Sequence, residues 1–300
     1  MGSHLTDEVW VADFTTETAD VIDTCGWPFQ GVFVGDLGWV ICQENGDIMS
    51  FDPDTLDVVE TIDIEGSFHR PCEDGICAGH DLLVFGLEHD DQLVWTTPRG
   101  PTVYWQDGHT LTLPEEVGGA LVQHMGLAAL EDTLFVFGPP TQQIYAVRDG
   151  EIVDQVTITG TAATVPMVVD GDRVWAGNQA FDEALEEVAL IGSEWSVEGA
   201  GAGVVIASSG WEIAVFDQEG LEELARMSMR DLRVPPSELW NEIPGPLRYL
   251  ITDDEELIIA NAFYGTLERR ALPALEPIGL DDPVPVGSWK DHENLEPQTK

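Results

Sequence analysis

The chain has 300 residues, of which 43% are hydrophobic, and its 56 acidic and 12 basic side chains give a net charge of −44. This charge repels nucleic-acid phosphates and anionic lipid head groups, so the composition excludes a nucleic-acid-binding protein and disfavours a lipid-binding surface. The longest apolar runs, such as residues 82–87, have the length of a β-strand, and the sequence therefore predicts no membrane-spanning segment.

The two ends of the chain are predicted to lie outside the folded domain. The opening Met1-Gly2-Ser3-His4 is typical of a cloning remnant, so we assign residues 1–6 to it and expect residues 290–300 to form a disordered tail. No segment has the charged start, apolar centre and small-residue cleavage site of a signal peptide, and we expect that a natural leader or anchor has been removed. The folded domain is predicted to span residues 7–289.

A loose repeat of about 40 residues runs through the sequence and contains only strand-like segments. Its clearest copies are residues 31–64 and 126–158. Each copy has an apolar run, a tight turn, a third strand and a final strand in which apolar and polar residues alternate. A strand-only repeat of this length predicts a β-propeller, in which each repeat forms one four-stranded blade.

The number of blades is counted from the alternating final strands, which are separated from neighbouring strands by turns such as Asn45-Gly46 and Asp149-Gly150. The predicted final strands are residues 20–23, 57–64, 110–113, 151–158, 187–191, 222–227 and 275–280. The predicted second strands are residues 39–42, 82–87, 133–137, 174–177, 204–207 and 257–260. We therefore predict one all-β domain of about seven blades, with six blades and an appended hairpin as the alternative.

Two local features refine this prediction. Residues 9–14 and 19–22 look like the last two strands of an incomplete blade, and the tail at 282–289 is expected to complete it and close the ring. Closure of this kind removes an exposed sheet edge. One helical turn is expected at residues 236–241, where Ser237 is a candidate N-cap.

The four cysteines predict two disulfides, because an even number suits an oxidising compartment. Three pairings are possible. We favour Cys25–Cys42 and Cys72–Cys77, since each closes a short loop.

A second interpretation applies to the stretch from His69 to His80. Two cysteines lie between two histidines with symmetric spacing, a pattern that can bind zinc in a tetrahedral site: His69, Cys72, Cys77 and His80. Zinc is the less favoured alternative, because this stretch enters a blade and two further cysteines lie nearby. We predict no other metal, no cofactor and no catalytic residue.

Six of the ten arginines lie between residues 226 and 270 and flank a long insertion at 231–246. Long loops on rigid scaffolds tend to be functional, and a cationic and aromatic rim is typical of protein interfaces. The predicted partner-binding residues are Arg230, Arg233, Leu239, Trp240 and Arg248. The alternative is that these arginines pair with the surplus carboxylates.

Two segments resemble the YVTN and quinoprotein-like (PQQ-like) propeller repeats: VWVADFTTETADVI at 9–22 and DIMSFDPDTLDVVETIDI at 47–64. In those repeats an aspartate ends a strand, turn residues follow, and a Val/Ile-rich strand comes next. The resemblance implies the propeller fold. It does not imply one activity, since such propellers include quinone-dependent dehydrogenases, lactonases and assembly platforms.

The sequence contains no G-x-S-x-G motif, and no catalytic motif of the enzymatic relatives matches. We therefore expect a monomeric, non-enzymatic binding or scaffold domain outside the cytoplasm. It is expected to be the ectodomain of a membrane-anchored envelope protein or lipoprotein and to bind a protein or an anionic glycan of the cell envelope. The alternative is a propeller enzyme, either a calcium-dependent lactonase-like hydrolase or a quinone-dependent dehydrogenase.

Overall fold

The computed structural model of the protein is built from short antiparallel strands. It describes residues 2–3, 8–13, 18–24, 28–42, 47–63, 85–96, 101–114, 126–138, 142–158, 167–233, 238–239, 243–244, 247–261, 266–279 and 284–285. Over these segments, no helix has the length and apolar character required to cross a membrane.

Over the described residues, five four-stranded sheets and one five-stranded sheet form the six blades of a β-propeller, and a three-stranded sheet precedes them. The preceding sheet consists of β1 (Gly2–Ser3), β2 (Glu8–Asp13) and β3 (Thr18–Asp23). The strands of each blade are given from the innermost outward. Blade 1 contains β4 (Pro28–Val34), β5 (Leu37–Cys42), β6 (Asp47–Phe51) and β7 (Val58–Asp63), and blade 2 contains β8 (Phe85–His89), β9 (Gln92–Thr96), β10 (Thr102–Trp105) and β11 (Thr110–Thr112). Blade 3 contains β12 (Gly126–Leu130), β13 (Thr133–Gly138), β14 (Gln143–Arg148) and β15 (Glu151–Thr157).

Blades 4 to 6 continue the same order around the ring. Blade 4 contains β16 (Met167–Asp170), β17 (Arg173–Ala176), β18 (Gln179–Asp182) and β19 (Glu187–Leu190), and blade 5 contains β20 (Ser196–Gly201), β21 (Val204–Ser209), β22 (Glu212–Asp217) and β23 (Glu223–Ser228). Blade 6 contains β26 (Leu247–Ile251), β27 (Glu256–Asn261), β28 (Thr266–Ala271) and β29 (Glu276–Pro277), with β30 (Val284–Pro285) beside β28. A small hairpin, β24 (Glu238–Leu239) and β25 (Ile243–Pro244), lies between blades 5 and 6.

Apolar cores fill the spaces between neighbouring sheets, and they explain the hydrophobicity of the second and third strands. Every residue of β13 is buried, whereas β15 at the outer edge of the same blade exposes most of its residues. The core between blades 3 and 4 contains Phe135 and Ile144, both 0% exposed, and the innermost strands of consecutive blades contact one another. Packing between blades therefore sets the positions of the connecting turns.

The turn between the third and fourth strands has one recurrent form. In three blades an aspartate at or just after the end of the third strand accepts hydrogen bonds from the turn: the Oδ1 atoms of Asp52, Asp182 and Asp217 each accept from backbone N–H groups. A leucine with positive φ ends the turn in four blades, at Leu56, Leu185, Leu221 and Leu275. Left-handed backbone costs a leucine about 1–2 kcal/mol. Burial of its side chain, as at Leu185 and Leu275, contributes about 1.5–3 kcal/mol and offsets that cost.

A buried polar network joins blades 4 and 5. The Oδ2 atom of Asp170 accepts from Arg173 Nε at 3.0 Å and from Trp175 Nε1 at 3.2 Å. Its Oδ1 atom accepts from the Gln218 side chain, and the Arg173 guanidinium donates to the Gln218 backbone oxygen. Because Gln218 belongs to the turn between β22 and β23, this network fixes the relative position of the two blades.

The prediction of seven blades is wrong, because the part of the chain that the structure describes forms six and the N-terminal sheet does not become a seventh. That sheet has a two-residue β1 and packs its Val9 and Ile22 against blade 1, so the alternative of six blades with an appended hairpin is nearer to the structure. The predicted closure is not confirmed. Residues 284–285 of the tail pair with β28 in blade 6, where Thr266 faces Pro285.

Two smaller predictions are also corrected. Residues 82–87 were expected to form a second strand, but Phe85–His89 is the innermost strand of blade 2 and Gln92–Thr96 is its second strand. The expected helical turn at 236–241 contains a strand instead, since Glu238 and Leu239 pair with Pro244 and Ile243. In both cases the pairing partner is the next segment of the chain, joined by a short turn that the sequence interpretation did not identify.

Candidate functional site

Three of the six clustered arginines pair with carboxylates among the described residues: Arg226 with Glu223, Arg269 with Glu256 and Arg270 with Glu268. The Arg269 guanidinium donates to both oxygens of Glu256, at 2.8 and 2.7 Å. Arg270 is 6% exposed, and its Nε donates to Glu268 Oε1 at 2.7 Å while Nη1 donates to the Leu275 backbone oxygen at 2.9 Å. These two arginines therefore serve the structure, as the alternative interpretation of the cluster had it.

The start of the long insertion is fastened to blade 6. Residues Met229–Asp231 form a 3₁₀ turn in which Ser228 Oγ accepts from the Arg230 backbone N–H. Met229 and Leu232 are buried in the core between blades 5 and 6. The Arg233 N–H donates to Glu268 Oε2 at 2.9 Å, so the insertion leaves the body of the protein from a fixed base.

Two guanidinium–indole contacts lie at one end of blade 5. The guanidinium carbon of Arg226 is 5.0 Å from the Trp195 ring centroid, and that of Arg230 is 4.6 Å from the Trp211 ring centroid. Such contacts contribute about 0.5–1 kcal/mol at exposed sites and hold the arginine in one orientation. We call these four residues the arginine–tryptophan surface.

Strand direction places all four residues at the same end of the blade. Trp195 directly precedes β20, Trp211 lies in the turn between β21 and β22, and Arg226 and Arg230 lie at the end of β23 or just after it. The backbone supports this grouping, because the Met229 N–H donates to the Trp211 oxygen at 2.7 Å. The Arg226 guanidinium also pairs with Glu223 through its Nε and Nη2 atoms, so these two donors are already used.

The opposite end of the propeller is acidic. It contains the turns that join the first to the second strand and the third to the fourth strand of each blade. Contacts between blades bring these turns together, since Arg148 at the end of β14 binds Glu183 in the turn after β18. Most of these turns carry carboxylates, among them Asp36, Asp54, Asp90, Asp107, Asp132, Asp149, Asp172, Glu219 and Asp254. The arginine–tryptophan surface lies at the other end, where the carboxylates of Glu223, Glu212 and Glu194 act on Arg226.

A cleft of about 590 Å³ opens at the acidic end between blades 3 and 4. Arg148 lies in it, and its Nε donates to Thr133 Oγ1 at 2.6 Å while the guanidinium pairs with Glu183. The remaining charged residues of the lining are acidic, among them Glu131 and Asp154. Because the arginine is already held, the cleft has a negative lining.

Another charged group lies on the innermost strands of blades 5 and 6. Ser208 Oγ donates to Glu198 Oε1 at 2.8 Å, and the charges of Glu198 and Arg248 attract each other. Burial raises the pKa of Glu198, and the Ser208 hydrogen bond and Arg248 offset only part of this. Burial likewise raises the pKa of Tyr249, and the neighbouring Glu198 carboxylate adds to it.

Arg248 combines two properties that locate its side chain. The residue has the accessible surface of an exposed residue, yet the surrounding protein is dense enough to lower the pKa of the guanidinium. Arg248 lies on β26, the innermost strand of blade 6, whereas Arg230 follows β23, the outermost strand of blade 5, although the sequence grouped the two arginines together.

The remaining sequence-predicted residues are described only in part. His69, Cys72, Cys77, His80, Cys25 and Trp240 lie outside the described residues, and Leu239 is placed by its backbone alone. Cys42 is 0% exposed and is not a free thiol. Within the described segments, no group of three or more His, Cys, Asp or Glu residues is arranged to hold a metal ion.

Sequence reasoning missed three members of these sites. Neither Trp195 nor Trp211 is among the predicted partner-binding residues. Glu198 is one of 56 acidic residues, and its neighbours Ser208 and Arg248 are distant in sequence, so no local signal distinguishes it. For the tryptophans the sequence did contain a signal. Each lies next to a strand of blade 5, the blade whose final strand and following turn contain Arg226 and Arg230.

Comparison with known proteins assigns the fold. The chain is a β-propeller, and its structural neighbours are propellers of the PQQ-like and WD40 types. The resemblance noted from the sequence is thereby confirmed at the level of architecture. No protein-family model matches the chain, and no curated protein matches it.

Three solved structures illustrate the range of neighbours. BamB from Moraxella catarrhalis has a TM-score of 0.55 at 15% identity, covering 93% of this chain and 86% of that one. Catalytically inactive virginiamycin B lyase from Staphylococcus aureus with quinupristin has a TM-score of 0.60 at 12% identity, covering 86% and 85%. The WD40 repeats of RRP9 have a TM-score of 0.57 at 10% identity, covering 81% and 76%. These identities establish the fold and leave the activity open.

Proposed function

We propose that this protein is a non-enzymatic binding or scaffold propeller of the cell envelope that captures an acidic protein partner. The observation that carries the proposal is the arginine–tryptophan surface. Two guanidinium groups are held against indole rings at the end of the molecule away from the acidic turns. Arginine and tryptophan are enriched among the residues that dominate binding energy at interfaces.

An acidic partner or an anionic glycan is proposed because guanidinium groups bind carboxylates and other anions at short range. The net charge of −44 opposes such a partner at long range, so capture depends on these short-range contacts. The insertion base at Met229–Asp231 includes Arg230, and its Met229 N–H donates to the Trp211 backbone oxygen. We therefore propose Leu239 and Trp240, further along the insertion, as additional apolar contacts. Their role stays a prediction.

Loss of partner capture is the first expected result. The double variant Arg226→Gln/Arg230→Gln is expected to bind the partner from native envelope extract at least about tenfold more weakly than wild type in a pull-down. This loss corresponds to about 1.4 kcal/mol of binding free energy. The arginines are changed and the tryptophans kept, because Trp195 is 5% exposed and contributes to the core. Arg148→Gln, at the acidic end, is the matched control and is expected to capture as the wild type does. Equal capture by all three proteins would refute the proposed surface.

Residence outside the cytoplasm is proposed together with the disulfides Cys25–Cys42 and Cys72–Cys77. The burial of Cys42 and the absence of a free thiol there support this proposal. Thiol titration of the denatured, unreduced protein is expected to find close to none of the four cysteines reactive. Four reactive thiols would instead favour a reducing compartment or the zinc alternative.

A further inference from the structure

The cleft between blades 3 and 4 lies where two positions carry shorter side chains than they do between blades 4 and 5. In blade 4, Asp170 pairs with Arg173, and the Arg173 guanidinium reaches across to the Gln218 backbone oxygen of blade 5. Strand register places Leu130 and Thr133 at the same two positions of blade 3. A leucine and a threonine do not extend as far as an arginine, so a space of about 590 Å³ remains at this interface.

The protein does not balance the charge of this cleft. Arg148, the arginine of the lining, is bound by Glu183. The carboxylates of Glu131, Asp154 and Asp172 also line the cleft, and none of them has a cationic partner within the described part of the chain. Glu131 and Asp154 belong to blade 3 and Asp172 to blade 4. A cation in the cleft therefore meets carboxylates from two sides.

The cleft also has an apolar lining. Leu130 and Ala146 contribute to it and are 9% and 1% exposed, whereas Val153 is 53% exposed. Val153 is exposed because the register of β14 and β15 shifts between Ala146 and Val147, which leaves it as the extra residue of a β-bulge. An occupant of the cleft removes this apolar surface from water, which stabilises the bound state by about 25 cal/mol per Å².

The combination of carboxylates and apolar surface selects the kind of occupant. A metal ion makes no use of apolar surface, and among the described residues no group of carboxylates is arranged to hold one. An arginine side chain has both parts that the cleft accepts, since its methylene stem covers apolar surface and its guanidinium binds carboxylates with paired hydrogen bonds. The net charge of −44 attracts a basic segment at long range.

We propose that this cleft is the docking site for an arginine side chain in a basic peptide segment of a partner protein. The guanidinium lies between Glu131 of blade 3 and Asp172 of blade 4, and the stem covers Val153. This site is at the acidic end of the propeller and is independent of the arginine–tryptophan surface. The protein thus presents docking positions for partners of opposite charge at its two ends.

The test is a fluorescence-polarisation titration with the peptide Gly-Arg-Gly-Arg-Gly-amide, which carries a fluorophore at its N-terminus. It is performed near neutral pH at about 0.15 M salt, where a Debye length of about 8 Å limits the effect of distant charges. Wild type is expected to bind this peptide at least about threefold more tightly than the same peptide with lysine in place of arginine, because lysine lacks the planar fork. Spermidine and magnesium chloride are the comparison cations and compete with the labelled peptide.

Two variants test the two parts of the lining separately. Glu131→Gln/Asp172→Asn removes one carboxylate from each blade and is expected to weaken binding at least about fivefold. Val153→Ser keeps the charge of the cleft and is expected to weaken binding at least about twofold through the loss of apolar contact. All three residues are exposed, so the fold is expected to stay intact, and a thermal melt of each variant checks this.

Asp36→Asn/Asp254→Asn is the matched control, because it removes the same charge from exposed turns of blades 1 and 6 and is expected to bind as wild type does. Equal weakening by the two double variants would overturn the proposal, since the general field of the protein would then attract the peptide. Unchanged binding by Val153→Ser, equal binding of the lysine peptide, tighter binding of spermidine or magnesium, or no binding at all would overturn it as well. Arg226→Gln/Arg230→Gln is expected to bind the peptide as wild type does, which separates this site from the arginine–tryptophan surface.

Discussion

Replacement of Asp170 by alanine is expected to lower the free energy of unfolding by about 3–5 kcal/mol, the range for breaking a buried ion pair from one side. The Asp170 side chain is 1% exposed and that of Arg173 is 15% exposed. Without the carboxylate, the Arg173 guanidinium and the Trp175 indole N–H lose a buried acceptor, and Gln218 no longer ties blade 5 to blade 4. Urea unfolding followed by tryptophan fluorescence measures the loss.

The matched control is a pair at the surface of blade 5. Glu223 and Arg226 have the same three-residue spacing as Asp170 and Arg173, but their side chains are 37% and 47% exposed. Glu223→Ala is expected to cost about 0–1 kcal/mol, as for other solvent-exposed ion pairs. If Asp170→Ala and Glu223→Ala lowered the free energy of unfolding by similar amounts, burial would not be the reason for the large contribution of the Asp170 network.

Replacement of Glu268 by alanine is the second change with a large expected effect, again about 3–5 kcal/mol. Glu268 and Arg270 are 7% and 6% exposed, and Glu268 also accepts the backbone N–H of Arg233. Its loss leaves a guanidinium buried without its carboxylate and releases the base of the insertion. The free energy of unfolding is measured by urea denaturation, and partner capture is measured on the same variant.

A double variant separates the loss of attraction within the Glu268–Arg270 pair from the cost of leaving Arg270 buried without its carboxylate. Glu268→Leu/Arg270→Leu removes both charges and is expected to be more stable than Glu268→Ala, because apolar side chains of similar size avoid the unpaired buried charge. Glu256→Ala, which removes the half-buried partner of Arg269, is the control and is expected to cost less than Glu268→Ala. If the double variant were less stable than the single one, the pair would stabilise the fold through its own attraction.

Much of the propeller was predictable from the sequence because blade strands carry local signals. Alternation of apolar and polar residues located the outer strands, for example the predicted 151–158 against the observed Glu151–Thr157. The Asp-to-Leu turn is equally local, since the aspartate at 52 binds backbone N–H groups two and three residues ahead. Patterns of this kind depend on neighbours within a few residues, so the chain displays them before it folds.

The number of blades and the site residues depended on contacts between distant parts of the chain. Residues 284–285 pair with β28 because blade 6 has an open edge there, which no feature of the tail reveals. Ser208 donates to Glu198 from the neighbouring strand of the same blade, and the charge of Arg248 comes from the next blade. The sequence by itself determined the strand repeat, the acidic charge and the enrichment of arginine near blade 5. Only the tertiary structure decided which arginines meet carboxylates and which lie against indole rings, because those partners are selected by the packing of one blade against the next.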